Sequence, residues 1–146
     1  MTQVTINAIN TAIAETLGAT AGVVRVQDAG DLGEGLLDLP AIQVYWQGSI
    51  TEPGGETDRR TFGAGVRLTR LTFYADVYAR QRSHLGEDMT RTLALAVQTV
   101  LEAQHQPPFF GLAGVRALRW NAERVTFDYG GAAYAGVRFV IETTVY

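Results

Sequence analysis

Residues 66–80 read VRLTRLTFYADVYAR, and residues 40–48 read PAIQVYWQG. In the first stretch Leu71, Phe73, Ala75 and Val77 alternate with Arg70, Thr72, Tyr74, Asp76 and Tyr78. In the second, Ile42, Val44 and Trp46 alternate with Gln43, Tyr45 and Gln47. Successive side chains of a strand point to opposite faces, so both patterns predict strands with one face on a core. The intervening residues 49–65, SITEPGGETDRRTFGAG, combine Pro53, paired glycines and charges of both signs, which predicts a long connector outside the core. A hairpin ordinarily needs about two to five loop residues, so an excursion of this length points to a function for the loop.

Working outward, Ile6, Ile9, Ile13 and Leu17 recur at helical spacing, with Thr5 as N-cap and Gly18 as stop. Val23 to Val26 form a short strand, followed by a loop over residues 28–38. A second helix carries the stripe Leu85, Met89, Leu93, Val97 and Val100, capped by Ser83 and ended by the Pro107-Pro108 pair. Three β-type runs follow, Val115 to Trp120, Arg124 to Tyr129 and Gly136 to Tyr146. Asn121-Ala122-Glu123 reads as a tight turn between the first two, and Gly130-Gly131 opens a connector to the last. The expected fold is a single α+β domain over residues 1–146. It has an antiparallel sheet of four or five strands, two helices packed on one face, and a long hairpin loop between the two central strands.

Composition narrows the function. At 146 residues the chain suits one domain, able to bury roughly 70% of the surface its unfolded form exposes. Apolar residues make up 47% and charged residues only 18%, too apolar for intrinsic disorder. A formal net charge of -3 gives no global attraction to nucleic acid or anionic lipid. The N-terminal stretch has no basic residue before Arg25, so no signal peptide is expected, and no apolar run approaches the ~18 residues that span a bilayer. Cysteine is absent, which excludes disulfides, thiolate nucleophiles and cysteine-bound metals. Lysine is absent as well, so no P-loop lysine, Schiff base or lysine base exists in the chain.

No catalytic constellation emerges from what remains. Ser83 and His84 are neighbours in sequence and do not face one another on a regular element, so they make a poor nucleophile and base. His84 and His105, at opposite ends of the second helix, are separated by roughly 30 Å at 1.5 Å per residue and share no metal. Asp28, Asp31, Glu34 and Asp38 fall at loop positions 1, 4, 7 and 11, which does not match the EF-hand pattern. A solvated loop accounts for them. The glycines at 30, 33, 35, 63 and 65 complete no dinucleotide fingerprint. No cofactor and no metal are expected, and the chain reads as a non-enzyme.

The remaining candidates are contact residues. Arg59, Arg60, Arg67, Arg70 and Arg80 give one edge a basic character, either as a solvated face or as a contact with an acidic partner, since arginine is enriched at interfaces. Tyr45, Tyr74 and Tyr78 lie opposite the main apolar set and either cover a second small core or take part in a subunit contact. Asp76, Arg70 and Tyr74 are the raw material for a small polar pocket on that face.

Helix INAINTAIAETLG, the hairpin AIQVYWQG to RLTFYADVYAR, helix HLGEDMTRTLALAVQTVL and the closing strand VRFVIETTVY follow one another in an order that resembles the tail-terminator (tail completion) proteins of long-tailed bacteriophages and related tail-like particles. The resemblance covers nearly the whole chain and rests on length and element order, with no diagnostic residue motif. It implies a structural virion protein assembled in the host cytoplasm. Its copies form a hexameric ring in the neck region that caps the tail tube, ends tail assembly and joins the tail to the head connector. The implied partners are further copies of the chain, the tail tube protein and the head–tail connector protein. DNA would only pass through the lumen, and no membrane is involved. The expected subunit and tube contacts are Thr51, Glu52, Glu56, Asp58, Arg59, Arg60, Phe62, Arg67, Arg70 and Tyr74. The alternatives are another head–tail connector or neck protein and a small ligand-binding α+β domain.

Overall fold

A computed structural model describes residues 5–28, 40–53, 67–81, 87–129 and 131–145. The elements are α1 (Ile6–Leu17), β1 (Arg25–Asp28), β2 (Ala41–Pro53), β3 (Arg67–Gln81), α2 (Glu87–Glu102), a 3-10 turn (Phe109–Gly111), β4 (Val115–Tyr129) and β5 (Ala132–Val145). Five strands form one sheet in the order β1-β2-β3-β5-β4.

The sheet is mixed, which corrects the expectation of a purely antiparallel one. β1 runs parallel to β2, from Arg25 opposite Ala41 to Asp28 opposite Val44, while the other three ladders are antiparallel. Adjacent parallel strands need a crossover of about a dozen residues, and the stretch from Asp28 to Ala41 supplies one of that length.

β2 and β3 pair from Ala41 opposite Tyr78 to Pro53 opposite Arg67. Thr51, Glu52 and Pro53, read in the sequence as connector, therefore belong to β2. Ile50 and Thr51 are β-branched and extend the ladder, and proline is tolerated at a strand end where no ladder hydrogen bond is required. The expected turn at Asn121-Ala122-Glu123 is also absent, because these residues lie inside β4 opposite Val140, Phe139 and Arg138. β4 is the edge strand, where exposed polar side chains cost little, and Glu123 faces Arg138 as an opposite-charge neighbour. β5 likewise starts at Ala132, earlier than Gly136, and Ala132 pairs with Tyr129 at the end of β4. Gly131 takes φ 82°, a left-handed conformation that favours glycine.

α1 begins and ends as its sequence dictates. Thr5 caps it by accepting a hydrogen bond from the Ala8 amide at 3.0 Å, and the Gly18 amide closes it onto the Ala14 carbonyl. Ile9, Ile13 and Leu17 are fully buried. In α2 the buried set is Leu93, Val97 and Leu101, with Thr90, while Met89 is exposed and Val100 only partly buried. The apolar stripe therefore runs at strict i, i+4 spacing, rotated from the expected Met89–Val100 line. Ser83, His84 and Leu85 lie outside the described residues. Ile9, Ile13 and Leu17 of α1 and Leu93, Val97 and Leu101 of α2 join the same cluster as Ile42, Val44, Phe73, Ala75, Val77, Val137, Phe139 and Ile141. At about 25 cal/mol per Å² of apolar surface removed from water, this cluster is the main stabilising term of the fold.

Candidate functional site

The alternation that sends Val44, Phe73, Ala75, Val77, Val137 and Phe139 into the core sends Tyr45, Tyr74, Asp76, Tyr78 and Arg138 to the other face of the sheet. Register then brings them together. Tyr45 lies opposite Tyr74, and Asp76 is flanked by Gln43 on β2 and Arg138 on β5. Arg138 Nε donates to Asp76 Oδ1 at 2.8 Å, and Nη2 donates to Asp76 Oδ2 at 3.1 Å and to the Tyr45 hydroxyl at 3.2 Å. Tyr45 in turn donates to Asp76 Oδ2 at 2.8 Å. The guanidinium carbon sits 4.3 Å from the centre of the Tyr74 ring, which meets Tyr45 edge-on at 5.6 Å.

Asp76 is 2% exposed, so its charge is out of water and held by partners on both oxygens. Burial, then the hydrogen bond to Asp76, pushes the Tyr45 hydroxyl well above the ordinary tyrosine range. The hydrogen bond to Asp76 likewise raises Arg138 above its ordinary value, against the opposing effect of burial. Within the network the tyrosine stays protonated, both carboxylate oxygens are engaged and the arginine is charged. None of the three is placed as a nucleophile or general base.

Beside the network, Tyr78 packs its ring on Phe127 at 4.5 Å and on Tyr134 at 5.9 Å. Of the two readings of the tyrosines, the second small core holds for Tyr78. Gly136 makes it possible, because a Cβ at this position would run into the Val77 carbonyl and the Phe127 ring.

Over this face lies a cavity of about 800 Å³, lined in part by Asn7, Gln43, Trp46, Thr126, Asp128 and Arg138. That is within the usual size range of small-molecule sites. Two β-bulges flank it, one between Trp46 and Gly48 on β2 and one between Tyr78 and Arg80 on β3. Bulges re-aim side chains beside functional sites. Trp46, opposite core residue Phe73 by register, is instead 46% exposed and borders the cavity. Among the described residues no group of three acidic or histidine side chains is arranged to hold a metal ion.

The residues singled out in the sequence divide into three groups. Glu56, Asp58, Arg59, Arg60 and Phe62 lie outside the described residues. Thr51, Glu52 and Arg67 are placed by backbone at the far end of the β2–β3 ladder, and Arg70 is exposed nearby opposite Ile50. Tyr74 alone joins the polar network, about which the sequence had already brought Tyr45 and Asp76 into view. Arg138 was missed, although the signal was present: it is a lone charge between Val137 and Phe139 in the closing strand, the counterpart of the lone Asp76 between Ala75 and Val77. His105 is exposed, with Nδ1 3.1 Å from the Ala103 carbonyl. The sequence matches no protein-family model, and no curated protein matches it.

Proposed function

We propose that the chain is a non-catalytic assembly protein of the tail-terminator type. Its copies form a ring that caps the tail tube, stops tail growth and provides the seat for the head–tail connector protein. In this reading both helices cover one face of the sheet and the DNA passes through the ring lumen without specific contact.

The observation that carries the reading is the state of the sheet edges. β4 is a 15-residue edge strand, and no described strand pairs its outer side. On the opposite edge β1 covers only Ala41 to Val44, leaving Tyr45 to Pro53 of β2 without a described strand neighbour on that side. Long unpaired edges are templates for another chain; β4 carries Arg116, Arg119, Glu123, Arg124 and Asp128 and a bulge near Val115, so only a partner edge that matches those charges can pair with it. Through the intervening antiparallel ladders β4 runs opposite to β2. A second copy, rotated about an axis parallel to the strands, therefore presents its β2 edge antiparallel to β4, and repetition closes a ring. The Asp76–Arg138–Tyr45 network, with no activated nucleophile, agrees with a structural role.

The experiment is to add purified protein to growing tail tubes. Tubes capped at their ends and arrested in length support the reading. The double variant Ala122→Lys/Thr126→Lys, at two exposed positions on β4, is expected to fold but not to cap. Tubes that elongate unchanged with the native protein present would overturn the proposal.

A further inference from the structure

We propose that the cavity over the polar sheet face binds a neutral saccharide. The case begins with Arg138. Its Nε and Nη2 are committed to Asp76 and Tyr45, while Nη1 makes no hydrogen bond among the described residues. The Arg138 side chain is 26% exposed and lines the cavity. A guanidinium gripped from one side by a buried carboxylate and held 4.3 Å from the centre of the Tyr74 ring is a preorganised donor, so little rotamer freedom remains to be lost when a ligand binds.

Charge decides what that donor accepts. Asp76 neutralises Arg138, and Asp128 adds a negative charge to the lining, so an anion is disfavoured. Asp76 has both oxygens occupied and is 2% exposed, so it offers a cation no contact either. An uncharged ligand with many hydroxyls fits best. Each hydroxyl is donor and acceptor at once, and the lining residues include donors and acceptors of both kinds, among them Asn7, Gln43, Thr126, Asp128 and Arg138. The apolar C–H face of a sugar ring needs an aromatic platform, and the half-exposed Trp46 lines the cavity. A cavity of about 800 Å³ admits more than one sugar ring.

The test uses the whole protein with glucose, galactose, mannose, N-acetylglucosamine and their β-linked dimers as probes, and acetate, phosphate and guanidinium as charged controls. Binding is followed by Trp fluorescence and ligand-observed NMR. At least one neutral saccharide is expected to bind saturably and in preference to every charged control. Trp46→Ala is expected to weaken it at least about tenfold, equivalent to about 1.4 kcal/mol. Asn7→Ala and Thr126→Ala, at exposed positions, should weaken it less, and Leu95→Ala on the exposed side of α2 should leave it unchanged. Absence of saturable binding by every saccharide overturns the proposal. So does binding that is indifferent to Trp46→Ala and Thr126→Ala, or a charged control that binds more tightly. Because tube capping is scored separately, failure here leaves the ring reading untouched, and failure to cap tubes leaves this one untouched.

Discussion

Asp76 and Arg138 occupy directly opposed positions on β3 and β5, with Nε and Nη2 of the arginine on separate oxygens of the carboxylate at 2.8 and 3.1 Å. A two-point contact of this kind fixes the register of the two central strands as well as pairing two charges. Slipping β3 against β5 by one residue would place Asp76 in the apolar cluster. Removing one partner strands the other. Arg138→Met is expected to destabilise the protein by about 3 kcal/mol, because Asp76 is then left buried and uncompensated. Replacing both residues with apolar ones is expected to cost less than the sum of the single changes, by roughly 1–3 kcal/mol. Urea unfolding of the two single variants and the double variant measures this, and strict additivity would show that the pair does not act as a unit.

The elevated Tyr45 hydroxyl leads to a pH dependence with a definite sign. A free tyrosine loses its proton near pH 10, whereas Tyr45 in the folded protein keeps it to higher pH. Above about pH 10 the unfolded chain therefore binds fewer protons than the folded one, and stability falls as pH rises further. The contribution is complete below that point. Ultraviolet titration of the native protein should show at least one tyrosine that does not ionise with the exposed ones. In Tyr45→Phe the alkaline loss of stability should be shallower.

Gly136 is the least replaceable glycine among the described residues. Gly136→Ala places a methyl group against the Val77 carbonyl and the Phe127 ring, and is expected to cost about 3 kcal/mol or more. Gly131→Ala meets open space and costs only what its φ of 82° imposes, about 1 kcal/mol. Thermal unfolding of the two variants side by side distinguishes close approach from conformational strain.

How much of this was legible in the sequence depended on whether the deciding interaction was local. Ile6, Ile9, Ile13 and Leu17 announced α1 because helix periodicity and its Thr5 cap lie within the segment itself. Alternation around Val44 and Phe73 announced β2 and β3 in the same way. Asn121 to Glu123 misled, because local turn preference was overridden by pairing with Val140 to Arg138 on a strand that follows later in the chain. The parallel pairing of β1 was hidden for the same reason, since four residues carry no mark of direction. In α2 the stripe was found but turned by part of a helical step, as Leu101 is buried where Val100 had been expected. At the site, Tyr45, Tyr74 and Asp76 came from alternation alone. Arg138 required knowing that β5 lies beside β3, a long-range fact that no local pattern encodes.

The extended β2–β3 ladder redefines the connector to test. Residues 54–66 are the segment to shorten, because Thr51 to Pro53 are strand. Loop closure depends only logarithmically on length, so replacing 54–66 with a short glycine-containing turn is expected to change stability by about 1 kcal/mol or less. The same variant is expected to lose tube capping. Unfolding curves and tube-length distributions together decide it, and a shortened protein that caps tubes normally would reduce the segment to a connector.

The central claim is that the molecule works as a ring closed through its sheet edges, and the native mass of the assembled protein tests it most directly. Mass spectrometry under non-denaturing conditions, on native protein and on Ala122→Lys/Thr126→Lys, is the measurement. The account predicts that the native protein forms a single closed species, the six-membered ring, either alone or when released from tail tubes. It predicts that the β4 variant stays monomeric with an unchanged unfolding temperature. A native protein that remains monomeric both alone and in the presence of tail tubes would contradict it.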